Sequence, residues 1–377
     1  MNQRLLSLDA FRGFTIAAML LVNNPGDWGH VYGPLEHARW DGWTFTDWIF
    51  PFFVFISGIS MTISLERRTV KGEQRLELLV QTFRRGALII CIGLLLNFIP
   101  ALNLEHIRIP GVLQRLGLCT MLVAPLLLYC QWRQQLGWLI LLMVAYTLIE
   151  TFVPVPDALG VWHTGSLQPG EDTGAWLDRT LMGGHLWRVS KTWDPEGLLS
   201  TLPAIASQLA GVLAGHWLTA PKEPVEKTSW LMVVGLVLIW LGQVLGAWSM
   251  PVNKSLWSPS YTLMMAGWAC LVLGLFYWFI DAVPHSAVRT WSITVARPLV
   301  ILGMNALFIF ALSGLVAKML GFITVSPNMS IKSWLFALLQ GLALDTINTS
   351  LLFAVLFTCA MWGIAWVMWR KAWFIKV

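Results

Sequence analysis

Charge is what this sequence has least of. Only 12% of its 377 residues are Asp, Glu, Lys or Arg, against about 25% in a soluble globular chain. That scarcity, with 56% apolar residues and a mean hydropathy of +0.66, excludes an ordinary soluble domain. Cysteine is sparse too: Cys91, Cys119, Cys130, Cys270 and Cys359 all sit in apolar runs, with no CxxC pair. An odd number at wide spacing excludes a disulfide framework or zinc site and leaves small buried hydrophobes. Alternating apolar and polar segments of strand type are missing, so helices are the expected spanning elements. No small-x-small cleavage site follows Val22, so the first span is expected to be retained. Internal duplication and low-complexity stretches are missing as well, and residues 1–377 read as one membrane domain with a long polar loop at 154–196.

What is present is apolar length. A membrane-crossing helix needs roughly 20 mostly apolar residues. That rule predicts an all-α, polytopic helix bundle with about ten spans, near 5–24, 46–65, 85–102, 111–130, 136–153, 197–218, 230–249, 260–281, 298–319 and 350–369. Residues 332–344 are too short to cross and read as an interfacial or re-entrant helix. The formal charge of +5 does not point to nucleic acid, because Lys and Arg flank spans as orientation signals do. Residues 66–85 form the expected second loop and carry six of them. With that loop in the cytoplasm, both termini fall there too, and 16 of the 25 basic residues lie inside. The polar stretches 23–45, 103–116, 154–196 and 250–259 then share the outer side.

Chemistry concentrates in NNPGDWGHVYGPLEHARWDGWTFTDWIFPFFVFISG, from residue 23. An imidazole such as His37 can take a proton from an amine or carry an acyl group, and Glu36, Asp41 and Asp47 are near enough in sequence to orient it. The plain alternative is a hydrogen-bonded interfacial histidine, and His30 competes for either role. Asn23 and Asn24 can donate to an oxyanion or simply close the helix before Pro25 and Gly26. Asp9 and Arg12 stand at i, i+3 and can pair, or Arg12 can meet an anionic substrate. Arg108, Gln114 and Arg115 surround a Pro-Gly helix start suited to phosphate or carboxylate, or else snorkel toward Glu105. Asp194, Pro195 and Glu196 read as an ordinary helix start. Asn253, Lys254, Trp257 and Ser260 can hold a sugar or pantetheine-like chain, or form an interfacial Lys-Trp belt. Asn305, alone in the ninth span, is interhelical glue or a site residue.

Taken together, RLLSLDAFRGFTI, LEHARWDGWTFTDWIFPFFVFISG, IRIPGVLQR, DPEGLLSTLPAIASQLAG, PVNKSLW and PLVILGMNAL resemble, in order, the heparan-α-glucosaminide N-acetyltransferase family of transmembrane acyltransferases. The resemblance runs to about residue 313, and its most specific stretch is His-Ala-x-Trp-x-Gly-x-Thr-x-x-Asp-x-x-Phe-Pro from residue 37 to residue 51. It implies transfer of acetyl from cytosolic acetyl-CoA, a co-substrate rather than a bound cofactor, to an amino sugar or related glycan across the membrane. It places the family's histidine on His37 and its asparagine on Asn23, with the histidine as general base or acetyl carrier. It further implies a homodimer and, for a chain with no luminal domain before the first span, the compact bacterial form in the inner membrane. A transporter of a glycan or lipid precursor, without covalent chemistry, is the competing function.

Overall fold

The structure is a computed structural model that describes residues 5–375. Both chain ends, expected in the cytoplasm, lie outside the described residues. Thirteen α-helices account for nearly all of the regular structure: α1 (Leu6–Asn23), α2 (Thr46–Val70), α3 (Arg75–Phe98), α4 (Val112–Tyr129), α5 (Trp132–Phe152), α6 (Thr173–Met182), α7 (Thr201–Thr219), α8 (Pro224–Trp248), α9 (Pro259–Tyr277), α10 (Ser286–Met304), α11 (Ala306–Phe322), α12 (Ile331–Gln340) and α13 (Thr346–Arg370). Among the described residues, sheet is confined to two short hairpins, Val155–Pro156 with Trp162–His163 and Thr324–Ser326 with Met329–Ser330. The fold is the expected all-α polytopic bundle, and the chain is an integral membrane protein.

Among the described residues eight helices are long and apolar enough to cross a bilayer, and the α10–α11 pair, bent by 71°, makes a ninth if it is counted as one broken span. Helix α7, expected as a span near 197–218, falls outside that count and packs between α2, α4, α5 and α9. Its small residues allow that position. A Cβ on Gly58 would lie 2.2 Å from the Gln208 carbonyl oxygen, and one on Gly211 would lie 2.0 Å from that of Phe55. The α2 and α7 backbones therefore meet with no side chain between them, as small residues permit where lipid supplies no hydrophobic drive. By contrast α8 is the least buried of the crossing helices. Apolar on every face, it suits a position against lipid.

Three boundaries differ from expectation. The second loop is not residues 66–85: α2 runs on to Val70 and α3 begins at Arg75, leaving only 71–74 as the connection. Charged residues continue a helix readily when they face water, so Arg84 and Arg85 stand on α3 rather than in a loop. Secondly, Asp194 does not cap a helix that starts beside it; α7 begins at Thr201, and residues 194–200 form turns. Thirdly, the ninth span 298–319 is broken at Asn305. Asp281 accepts from the Ser7 amide, Ala10 packs with Ile280 and Ala296, and Gly303 lies against Asp9. Those contacts lay α10 against the first half of α1, and α11 leaves it at an angle of 71°.

Each end of the bundle now has a character. One end carries the start of α1, the close of α2 and the start of α3, and with them Arg68, Arg84 and Arg85. The other gathers the four polar stretches: Trp40 Nε1 donates to Leu167 O (2.9 Å), Ile109 N to His185 O (2.9 Å), and Gly42 N to Val252 O (2.7 Å).

Candidate active site

At this second end His37 sits half-exposed on the loop before α2. Its Nδ1 lies 2.7 Å from Asp47 Oδ1. Asp47 occupies the first turn of α2, where the helix dipole favours an anion, and it is fully buried. Its Oδ2 accepts from the amides of Ala38 (3.1 Å) and Thr44 (2.9 Å). The Thr44 hydroxyl lies 3.2 Å from the same oxygen, so Asp47 ties the loop to the first turn of α2. The hydroxyl of Tyr261 on α9 donates to the Asp47 carbonyl at 2.6 Å. A carboxylate so fixed accepts the Nδ1 hydrogen of His37 and leaves the ring's lone pair on Nε2. Of the three carboxylates near His37 in sequence, only Asp47 meets the ring. Expected among the substrate contacts, it has both oxygens engaged by protein groups.

The third member arrives from 217 residues away. Lys254 Nζ stands 3.0 Å from Nδ1 and 3.1 Å from Nε2 of His37, and 3.6 Å from Asp47 Oδ1. Its loop is held by Asn253, which is wholly buried. The Asn253 carboxamide donates to Asp41 (3.2 Å) and accepts from Leu256 N (2.9 Å). Ser258 and Ser260 bind the carbonyls of Pro251 and Met250. Trp257, in the left-handed region at φ 51°, donates from Nε1 to Ser207 Oγ at 3.0 Å. Burial lowers the Lys254 pKa below the ordinary lysine value, and Asp47 and Glu196 offset part of that. Glu196 is raised by burial but more strongly held down by Arg108, Arg115 and Lys254, and ends below the usual carboxylate range.

Around this trio lies a frame of charge. Arg108 forks onto Asp194 (2.9 and 2.5 Å) and reaches Glu196 (2.5 Å). Arg115, all but fully buried, donates to the carbonyls of Pro195 (3.1 Å) and Gly197 (2.8 Å) and stacks over the Trp257 ring. Neither arginine meets Glu105. The polar groups of Arg108, Asn253, Trp257 and Ser260 are thus committed to shaping the loops. Gln114 is buried, and its Nε2 has no hydrogen-bond partner among the described residues. Asn24 closes α1, its Nδ2 donating to Leu20 O (2.8 Å), while Asn23 is exposed on the last turn of the same helix. His30 pairs with Asp27, not with His37.

A cavity of about 970 Å³ opens at the opposite, arginine-bearing end. Arg12, Ser60, Arg68, Arg84, Arg85, Thr120 and the α10–α11 break line it, and Phe53 and Ser57 mark its inner reach. Arg12 combines both readings of its spacing: it bonds Asp9 (3.1 Å) and Ser60 Oγ (2.6 Å) and still faces the cavity. Arg68 is paired with Glu73. Arg84 and Arg85 form no ion pair among the described residues. Phe53 and Asp47 are six residues apart on α2, about 9 Å along the axis. Phe50, set edge-on to Trp257 (5.0 Å), occupies that layer.

Comparison with known proteins follows the same residues. The family model described as "Heparan-alpha-glucosaminide N-acetyltransferase, catalytic" matches residues 4–177. The human heparan-alpha-glucosaminide N-acetyltransferase is 32% identical over 362 aligned residues, and the mouse protein 30% over 363. This chain is related to the heparan-alpha-glucosaminide N-acetyltransferases. In both alignments 81% of the chain is covered, against 52% of the human protein and 53% of the mouse protein. The chain therefore spans about half the length of the curated relatives it matches. His37, Asp47, Asn23 and Arg12 fall within the stretch matched by the family model, whereas Lys254 and Asn305 lie beyond it.

Sequence reasoning did not single out Gln208 or Tyr261. Gln208, fully buried on α7, donates to Ser57 (2.8 Å) and Thr120 (3.4 Å), two hydroxyls of the cavity's inner end. An amide inside an otherwise apolar span was the available signal.

Proposed function

We propose that this protein is a transmembrane acetyltransferase that takes acetyl from acetyl-CoA at its arginine-bearing end and delivers it to an amino sugar or related glycan at the His37 end. The observation that carries the reading is the Asp47–His37–Lys254 group at one end of α2, with the arginine-mouthed cavity along the rest of that helix. The activity for which the relatives are named supports the same chemistry.

In this reading the arginine-bearing end is cytoplasmic, in accord with the bias of basic residues, and the His37 end faces the periplasm of a bacterial inner membrane. Arg84 and Arg85 meet the phosphates of CoA, with Arg12 deeper. The cavity volume is at the upper end of the ordinary small-ligand range. The thioester passes the Phe50 layer to reach His37. Nε2 takes the proton of the acceptor amine as its nitrogen attacks the thioester carbon. The C–S bond breaks, and the thiolate leaves with the proton returned from the imidazolium. Alternatively Nε2 attacks the thioester carbon first and expels the CoA thiolate, and the acceptor amine then takes the acetyl group from Nε2 and gives up its proton as the imidazole is released. In either order Lys254, with Asn23 from the end of α1, donates to the oxyanion. The protein acts as a homodimer.

The test is purified protein with radiolabelled acetyl-CoA and glucosamine. Label in the sugar, lost in His37→Ala, supports the enzyme, and label retained on the wild-type protein identifies a carrier histidine. If the protein moves glycan across vesicles while no label ever reaches sugar, the enzyme reading fails and a transporter replaces it. The broken α10–α11 pair at the cavity is the feature that favours that second reading.

A further inference from the structure

Asn305 is almost wholly buried at the break between α10 and α11, and as the residue preceding α11 it is placed to cap that helix. It makes no such bond. Its carboxamide is instead spent on a segment far along the chain: Nδ2 donates to Trp373 O at 3.0 Å, and Oδ1 accepts from Ile375 N at 2.9 Å. Pairing with alternate backbone groups in this way is how a neighbouring strand would hold an extended segment. The segment reaches Asn305 because the chain reverses after α13. Lys371 N bonds Val367 O, Ala372 takes a left-handed φ of 55°, and Trp373 N bonds Met368 O at 2.8 Å. The reversal delivers Ile375 to the cavity wall beside Met304, Ala306 and Leu307.

Irregular backbone at membrane depth persists only where it is buried in protein or borders a cavity, and this break does both. Apart from Asn305 itself, the wall it forms with Ile375 is apolar, Gly303, Met304, Ala306 and Leu307, whereas Gln81, Arg84 and Arg85 lining the same cavity on α3 are polar and cationic. A nucleotide needs both kinds of surface, cations for its phosphates and an apolar plate for its base.

We propose that residues 373–375 form a wall of the donor site at its nucleotide end, and that Asn305 is the positioning residue that fixes this wall in place. This rests on the cavity being the acetyl-CoA site. Asn305 does not touch the reacting atoms; it acts through Ile375.

Steady-state kinetics with two donors tests the idea: acetyl-CoA, and S-acetylpantetheine, which lacks the nucleotide. Ile375→Ala alters a partly exposed side chain and leaves the helices intact. It is expected to raise KM for acetyl-CoA by about tenfold, the size of a lost apolar contact, with kcat and the KM for S-acetylpantetheine within twofold of wild type. Asn305→Ala should do the same, and Asn305→Asp, which keeps the acceptor for Ile375 N, should fall between. An unchanged KM for acetyl-CoA, or an equal rise for both donors, overturns the assignment. So does tighter CoA binding when the segment is loosened, which would make it an obstruction. Calorimetry of CoA against wild-type protein separates the two levels. No binding there removes the cavity reading itself, whereas binding that Ile375→Ala and Asn305→Ala leave unaltered removes only the role of the segment.

Discussion

Asp47 is the residue on which the geometry of the site turns. It holds the His37 ring by one oxygen and is itself held by two backbone amides through the other. Asp47→Asn preserves the shape but can present an N–H to Nδ1, favouring the wrong tautomer. Its kcat is expected to fall by about 10²–10⁴ while CoA binding persists, as rapid-quench turnover and calorimetry on one preparation would reveal. His37→Ala should lose transfer altogether. Lys254 makes a separate prediction. Burial lowers its pKa, so it sheds its proton at a lower pH than an ordinary lysine. If its ammonium serves the oxyanion, kcat falls as pH rises through that lowered value. Lys254→Arg keeps the charge and should move this alkaline limb upward, whereas Lys254→Met should lower kcat by about 10²–10³ on the acid side of the limb and converge with wild type beyond it. A limb that stays in place in Lys254→Arg assigns it to another group.

Among the elements, α2 and α3 matter most to the proposal. Arg84 and Arg85 lie one after the other on α3 at the cavity mouth and form no ion pair among the described residues. The double variant Arg84→Gln, Arg85→Gln should raise KM for acetyl-CoA by about 10–100-fold, two charge-assisted contacts being lost, and should flatten its dependence on salt. Acceptor KM should stay put. Packing of α2 on α7 supports a different expectation. Gly211→Val would drive a branched side chain into the Phe55 carbonyl, which the present 2.0 Å approach forbids. Loss of folded protein in fluorescence size-exclusion is the expected outcome, whereas Gly137→Val, with nothing within 4 Å of its Cβ, should be tolerated.

Across the whole molecule, the polar loops at the His37 end share a buried acidic patch. Asp178, beside the turn before α7, is pushed up to about 7 by burial, while its Oδ1 accepts from Leu198 N at 2.9 Å. A carboxyl raised in the folded state binds more protons there than when unfolded, so stability falls as pH rises from about 4 toward 7 and the penalty is complete above that. Asp178→Asn should therefore melt higher than wild type at pH 8 and lose the advantage by pH 5. Melting curves across that range read the sign directly.

Much of the architecture is written in local sequence. A helix that crosses lipid must satisfy its own backbone and be apolar for about 20 residues, so most spans can be located from the chain itself, and their basic flanks suggest an orientation. Arg12 could be marked in the same way, because a titratable group amid apolar sequence is conspicuous, and His37 because the polar groups of the chain crowd around it in sequence. What the chain could not settle were contacts made by folding back. Glu36, Asp41 and Asp47 were equal candidates until the turn into α2 set one against the imidazole. Lys254 and His37 meet across 217 residues, and Asn305 reaches a segment 68 to 70 residues away. Arg108, Arg115 and Asn253 could equally have been ligands for a substrate, since a buried polar group needs a partner and sequence does not say whether protein or ligand supplies it. Spans follow from the local balance of water and lipid, but the site follows from which loops close on one another.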